Sequence, residues 1–131
     1  MSNSLSDRCA VMEECYEFML AYAAQGLTGD SGAGRAGAVR DFLKRGIDAV
    51  SGMAAEYAAS GTGPEHAEFL AVLERDAQSS LAAMRLVAAQ PVISSQLVDN
   101  LNASIHLRAL LTDLFLIDEV LKSCANSSQS A

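Results

Sequence analysis

Apolar residues recur three and four apart along most of this chain, the spacing that lines up side chains on one face of an α-helix turning about 100° per residue. Over residues 5–25, Leu5, Cys9, Met12, Tyr16, Met19 and Ala23 form one ridge, and Val11, Cys15, Phe18 and Tyr22 widen it. Asp7, Glu13, Glu14 and Glu17 take the other side. Gly26 is the natural terminator, since the residue after a helix often adopts the left-handed conformation. A second helix is predicted over 35–59, with an apolar stripe of Val39, Phe42, Leu43, Gly46, Ile47, Val50, Met53, Ala54 and Tyr57. Arg40, Asp41, Lys44, Arg45 and Asp48 lie on its back. Gly46 and Gly52 each weaken this helix by about 1 kcal/mol relative to alanine. If the first two helices form a hairpin, Tyr16 falls opposite Gly46.

Thr62-Gly63-Pro64-Glu65 has the chemistry of a helix start: small residues, proline in the first turn, then a carboxylate at the positive end of the dipole. The third helix, 64–90, runs through Phe69, Val72, Leu73, Ala77, Leu81, Met84 and Val87 until Pro91 breaks it. The fourth, 94–124, is capped by Ser94 or Ser95. It is apolar first through Leu97, Leu101 and Ile105, then through Leu110, Leu111, Leu114, Phe115, Ile117 and Leu121. A polar tail occupies 126–131. No internal repeat and no strand-like alternation is seen. The predicted fold is all-α: one domain over 1–131, an antiparallel up-down four-helix bundle.

Composition agrees. The chain has 131 residues, a length suited to one domain, and half of them are hydrophobic, with many alanines and only two prolines. The net charge of −7 repels phosphate, which argues against nucleic acid and anionic membranes as partners. It suits solubility, or a basic protein partner. Cys9, Cys15 and Cys124 make an odd set, better read as reduced thiols of a cytoplasmic protein than as a disulfide framework. The N-terminus lacks the charged start and apolar run of a signal peptide. The most apolar stretch, 107–121, carries Arg108, Asp113, Asp118 and Glu119 and is not a membrane span.

Motif-like features are weak. Gly32, Gly34 and Gly37 match GxGxxG, but a dinucleotide fingerprint follows a strand, and here a helix precedes it. Gly29 to Ala36 fails as a phosphate loop, having Arg35 for lysine and Ala36 for the hydroxyl. Asp7, Glu13, Glu14 and Glu17 lack the Glu-x-x-His pairs of di-iron bundles and read as a solvated face. His106, on a stripe with Asp99, Asn102 and Asp113, lacks the surroundings of a phosphotransfer histidine. The sequence therefore predicts no catalytic residue, metal site or cofactor.

Two charged residues do fall on apolar faces. Asp76 projects near Phe69, Leu73 and Val87, and Arg108 sits between Leu101, Ile105 and Phe115. Folding the last two helices about Pro91–Val92 brings positions 76 and 108 level. The predicted result is a partly buried ion pair, with Ser80 and Thr112 as hydrogen-bonding neighbours and arginine gripping the carboxylate in a two-pronged bond. By the same register His66 and Glu119 approach at the far end. The expected function is a non-enzymatic adaptor, regulatory or chaperone-like bundle that binds another protein, its wide apolar faces also predicting a homodimer. The rival expectation is a small-molecule sensor with a pocket between helices lined by Met12, Tyr16, Met19, Met53, Tyr57 and Met84.

Overall fold

A computed structural model describes residues 4–28 and 35–130, with side chains over 5–28 and 37–123. The described residues form six helical segments and no strand: α1 (Ser4–Ala24), α2 (Arg35–Ser51), α3 (Met53–Ala59), α4 (Pro64–Ala88), α5 (Ser95–Ala103) and α6 (Ile105–Ser130). The glycine motif at 29–34 and the terminal Ala131 lie outside the described residues, and Cys124 lies outside the described side chains. Helix α6 continues through most of the expected tail, because no glycine or proline after Leu121 stops it. Among the described residues, no helix is long and apolar enough to cross a membrane.

One cluster of buried side chains runs through every segment. From α1 it takes Leu5, Cys9, Met12, Cys15, Met19 and Tyr22, spaced four, three, three, four and three apart as a helix ridge requires. The opposing surfaces supply Val39, Leu43, Val50, Met53, Leu73, Met84, Ile93, Val98, Leu107, Leu110 and Leu114 among others. Each such aliphatic side chain removed from water contributes roughly 1.5–3 kcal/mol before the entropy of ordering it is subtracted. Helix α1 packs on α2 and α5, and α4 packs on α6, α2 and α3.

Positions climb along α1 as their partners fall along α2. Arg8 reaches 48–52, Cys15 donates its thiol proton to the Phe42 carbonyl at 3.2 Å, and Phe18 stacks on Phe42 with ring centroids 4.2 Å apart. A Cβ on Gly46 would stand 2.9 Å from both Cys15 Sγ and Met84 Cε. The missing side chain thus admits a thiol and a methionine tip, not the expected Tyr16 ring, which lies half-buried one position further round α1.

The two longest expected helices are each broken once. The helix over 35–59 breaks at Gly52, whose Cβ would collide with the Arg8 guanidinium only 2.5 Å away. Arg8 Nη1 donates to the carbonyls of Asp48 and Ala49 at 2.9 and 3.0 Å, satisfying the end of α2 with a cation at its negative pole. Arg40, expected on an exposed back, closes α4 the same way through the carbonyls of Ala88, Gln90 and Pro91.

The helix over 94–124 breaks at Ser104, which turns extended with ψ 142°. Its hydroxyl accepts from the Leu107 amide at 3.2 Å, so the residue that ends α5 also caps α6. Before the break α5 is tied to α1. Asn102 donates to the Met19 carbonyl, Ser95 exchanges hydrogen bonds with Tyr22 and Leu27, and the Tyr22 hydroxyl donates to the Ile93 carbonyl at 2.6 Å. After the break α6 follows α4, with the fully buried Ser80 hydroxyl donating to the His106 carbonyl at 2.9 Å. The break lets one strand of sequence serve two partners at different rotations. Ile105 consequently points outward, 75% exposed, where an unbroken helix would bury it.

Two substitutions test this packing. Gly46→Val is expected to lower unfolding free energy by about 1–3 kcal/mol through overpacking, read as a lower urea midpoint with an unchanged slope. Ser104→Ala should cost about 1 kcal/mol, the usual value of a lost helix cap.

Candidate functional site

Where α3 ends, the chain turns through Ser60 and Gly61 into the first turns of α4, and these small residues leave space that α6 does not fill. The result is a groove of about 460 Å³ between α3, α4 and α6. One wall is aromatic: Tyr57 from α3 with His66 and Phe69 from α4. The His66 ring stacks on Tyr57 at 4.1 Å between centroids and 17° between planes, and Phe69 meets Tyr57 edge-on at 5.9 Å and 72°. Gly61 makes the stack possible, since a Cβ there would come within 2.9 Å of His66 Nδ1. The opposite wall is aliphatic: Leu116, Ile117, Val120 and Leu121 of α6.

Ile117 is buried in the core, whereas Leu116 and Val120 are 53% and 60% exposed. Phe115 is also exposed, on another face of α6 and outside the groove lining. Large apolar side chains facing water together, beside an aromatic wall, are the feature of this surface that folding alone does not explain. The charged residue lining the groove is Glu65, with Glu68 and Glu119 exposed on α4 and α6. Lys122 is occupied one turn along by Asp118, at 3.5 Å. Burial pushes the Tyr57 phenol above its ordinary pKa of 10. His66 Nε2 is buried and has no hydrogen-bond partner.

The residues singled out in the sequence are distributed otherwise. Asp76 and Arg108 do not form the expected ion pair. Arg108 is exposed, because the break at Ser104 rotates α6 and turns positions 108, 112 and 115 outward. Asp76 instead acts on Asp113, a residue expected on a polar stripe but buried, and opposes its ionisation. Ser80 and Thr112 bond backbone carbonyls, of His106 and Arg108, and take no part in that contact. Of the polar stripe, Asp99 and His106 are exposed and Asn102 is buried. His66 lies against Tyr57 and does not meet the exposed Glu119.

The six residues expected to line a pocket between helices divide between the core and the surface groove. Met12, Met19, Met53 and Met84 are fully buried core, Tyr16 packs beside them, and Tyr57 borders the surface groove. In the acidic group of α1, Glu14 pairs with Arg45 at 2.9 Å with both side chains largely exposed. A pair so placed in solvent contributes little. Among the described residues, no three His, Cys, Asp or Glu side chains gather closely enough to hold a metal ion.

The groove was missed in the sequence because its parts come from three separated stretches. The one local signal, Tyr57 and Phe69 flanking a Ser-Gly turn with His66, looks like ordinary core spacing until Leu116 and Val120 are seen to face it. Two measurements check its description. Leu116→Ser and Val120→Ser should change stability by no more than about 0.5 kcal/mol, as exposed positions do. In an alkaline titration followed by tyrosinate absorbance, the component lost in Tyr57→Phe should have its midpoint above 10.

No protein-family profile matches the chain, and no curated protein or solved structure matches it either.

Proposed function

We propose that this chain is a non-enzymatic interaction protein whose α3–α4–α6 groove receives an apolar segment with basic flanks from a partner protein. The observation that carries the proposal is the exposure of Leu116 and Val120 opposite the Tyr57–His66–Phe69 wall. Leu116 and Val120 are four apart on α6, so they present a ridge parallel to the helix axis. An amphipathic helix from a partner can lay its own ridge beside it. Glu65, Glu68 and Glu119 and the net charge of −7 favour lysine or arginine around that apolar ridge. The same charge disfavours a second copy of this chain, which would set one acidic surface against another. A homodimer is thus the competing way to cover the stripe.

On this reading the six segments make four antiparallel rods, with α2–α3 and α5–α6 each counting as one, and the groove opens at one end of the bundle. The buried free thiols of Cys9 and Cys15 suit a cytoplasmic protein. Asp113, the one acid among the described residues with a strongly raised pKa, is buried in the contact between α4 and α6. A small apolar ligand is the second reading, favoured by the groove volume of about 460 Å³, which lies within the usual range for such sites.

The test is a titration of the full chain against a fluorescent helical peptide bearing leucines at helix spacing and flanking lysines, alongside sedimentation of the chain alone. Binding is expected in the micromolar range, weakening several-fold between low and physiological salt. Val120→Lys should weaken it about tenfold or more, equivalent to about 1.4 kcal/mol. Peptide binding that ignores Val120→Lys, or no binding at all, would contradict the proposal. A dimer dispersed by Val120→Lys would replace the partner with a second copy.

A further inference from the structure

The contact between α4 and α6 contains two acids facing each other. Asp113 of α6 is only 5% exposed, and Asp76 of α4 is half-buried. Asp76 acts on Asp113 across this contact, both as a neighbouring negative charge and as a hydrogen-bonding group that favours its protonated form. An ionised carboxylate only accepts hydrogen bonds, so a bond between two acids requires a proton on one of them. Asp113 Oδ2 is buried with no hydrogen-bond partner. A full charge on Asp113 would therefore be neither hydrated nor bonded at that atom.

Helix α6 packs against α4, α5 and α1. From α4, Asp76 and Arg75 act on Asp113: Asp76 opposes its ionisation, and the exposed Arg75 favours it more weakly. From α5, the acid Asp99 is exposed and Asn102 is engaged with the Met19 carbonyl. From α1, Cys9 and Glu13 act beside Asp118, further along α6. On α6 itself His106 and Arg108 are exposed. None of these neighbours supplies a buried cation to the pair.

We propose that the Asp76–Asp113 pair is a proton-operated latch on the α4–α6 contact, closed by one shared proton and loosened when that proton leaves to solvent and two carboxylates face each other. This device does not depend on what occupies the groove. Burial first, and the neighbouring Asp76 second, push the Asp113 carboxyl from 3.8 up to about 7. The unfolded chain gives up this proton near pH 4 and the folded chain near 7. The folded state thus holds the extra proton between those values. Its stability falls as pH rises from about 4 through about 7, then levels off. The latch therefore opens across the neutral range.

The experiment follows the aspartate carboxyl carbons and backbone amides of the full chain by NMR between pH 4 and 9. One aspartate is expected to titrate near 7. Amide shifts around 73–80 and 107–117 should move with the same midpoint, while those of α2 stay still. In Asp113→Asn, whose amide can donate to Asp76 without a proton, the near-neutral titration should vanish and the fall in urea midpoint with pH should flatten. Should that variant fail to fold, Asp76→Asn removes the facing charge and should move the remaining Asp113 titration downward. Every aspartate titrating below 5 in the wild-type chain would overturn the latch. So would a pH profile unchanged in both variants.

Discussion

A helix that stops inside a protein leaves amides and carbonyls that must find partners, and this chain stops two helices in mid-course. Much else depends on how those ends are satisfied. At Gly52 the Arg8 guanidinium closes the end of α2, and the lack of a side chain at 52 is what lets it approach. At Ser104 a single hydroxyl caps α6 while the backbone swings extended. That swing resets the rotation of α6 about its axis. It turns Leu107, Leu110, Leu114 and Asp113 inward, and it leaves Arg108, Leu116 and Val120 toward water.

The acid pair and the groove are thus two consequences of one rotation. Asp113 and Val120 lie seven positions apart, two turns of the same helix, so fixing one fixes the other. The arginines show a complementary economy. Arg8 and Arg40 spend their charge on helix C-termini from neighbouring helices, and Arg45 is shared between Glu14 and the face of Phe42. Glu65 is the charged residue lining the groove, and Arg75, the cation that acts on Asp113, is exposed.

The helical nature of the chain was legible at once, because periodic apolar spacing survives small errors of phase. The starts at Pro64 and Ser94 and the stop at Gly26 were legible too: proline, serine and glycine each have a local backbone reason to be there. Phase was harder. Reading α5 and α6 as one helix placed Ile105 and Arg108 inward, although Leu107, Leu110, Leu114 and Ile117 already mark a ridge that includes position 113 and excludes 105. Asn102-Ala103-Ser104 is a weak break signal, since such residues also sit within helices. The break comes with tertiary ties on either side of it: Asn102 bonds α1, and Ser80 bonds the start of α6. The Tyr16 and Cys15 exchange opposite Gly46 is a phase error of one residue of the same kind.

Amide hydrogen exchange across 98–112, resolved residue by residue, tests the rotation of α6 most directly. The amides of Ile105 and His106 open the new helix and have no carbonyl one turn behind them within it. They should exchange rapidly between protected neighbours in α5 and from Leu107 onward. Uniform slow exchange from Val98 through Thr112 would mean one unbroken helix. Asp113 would then lose its place against Asp76, and Leu116 and Val120 their place beside the groove.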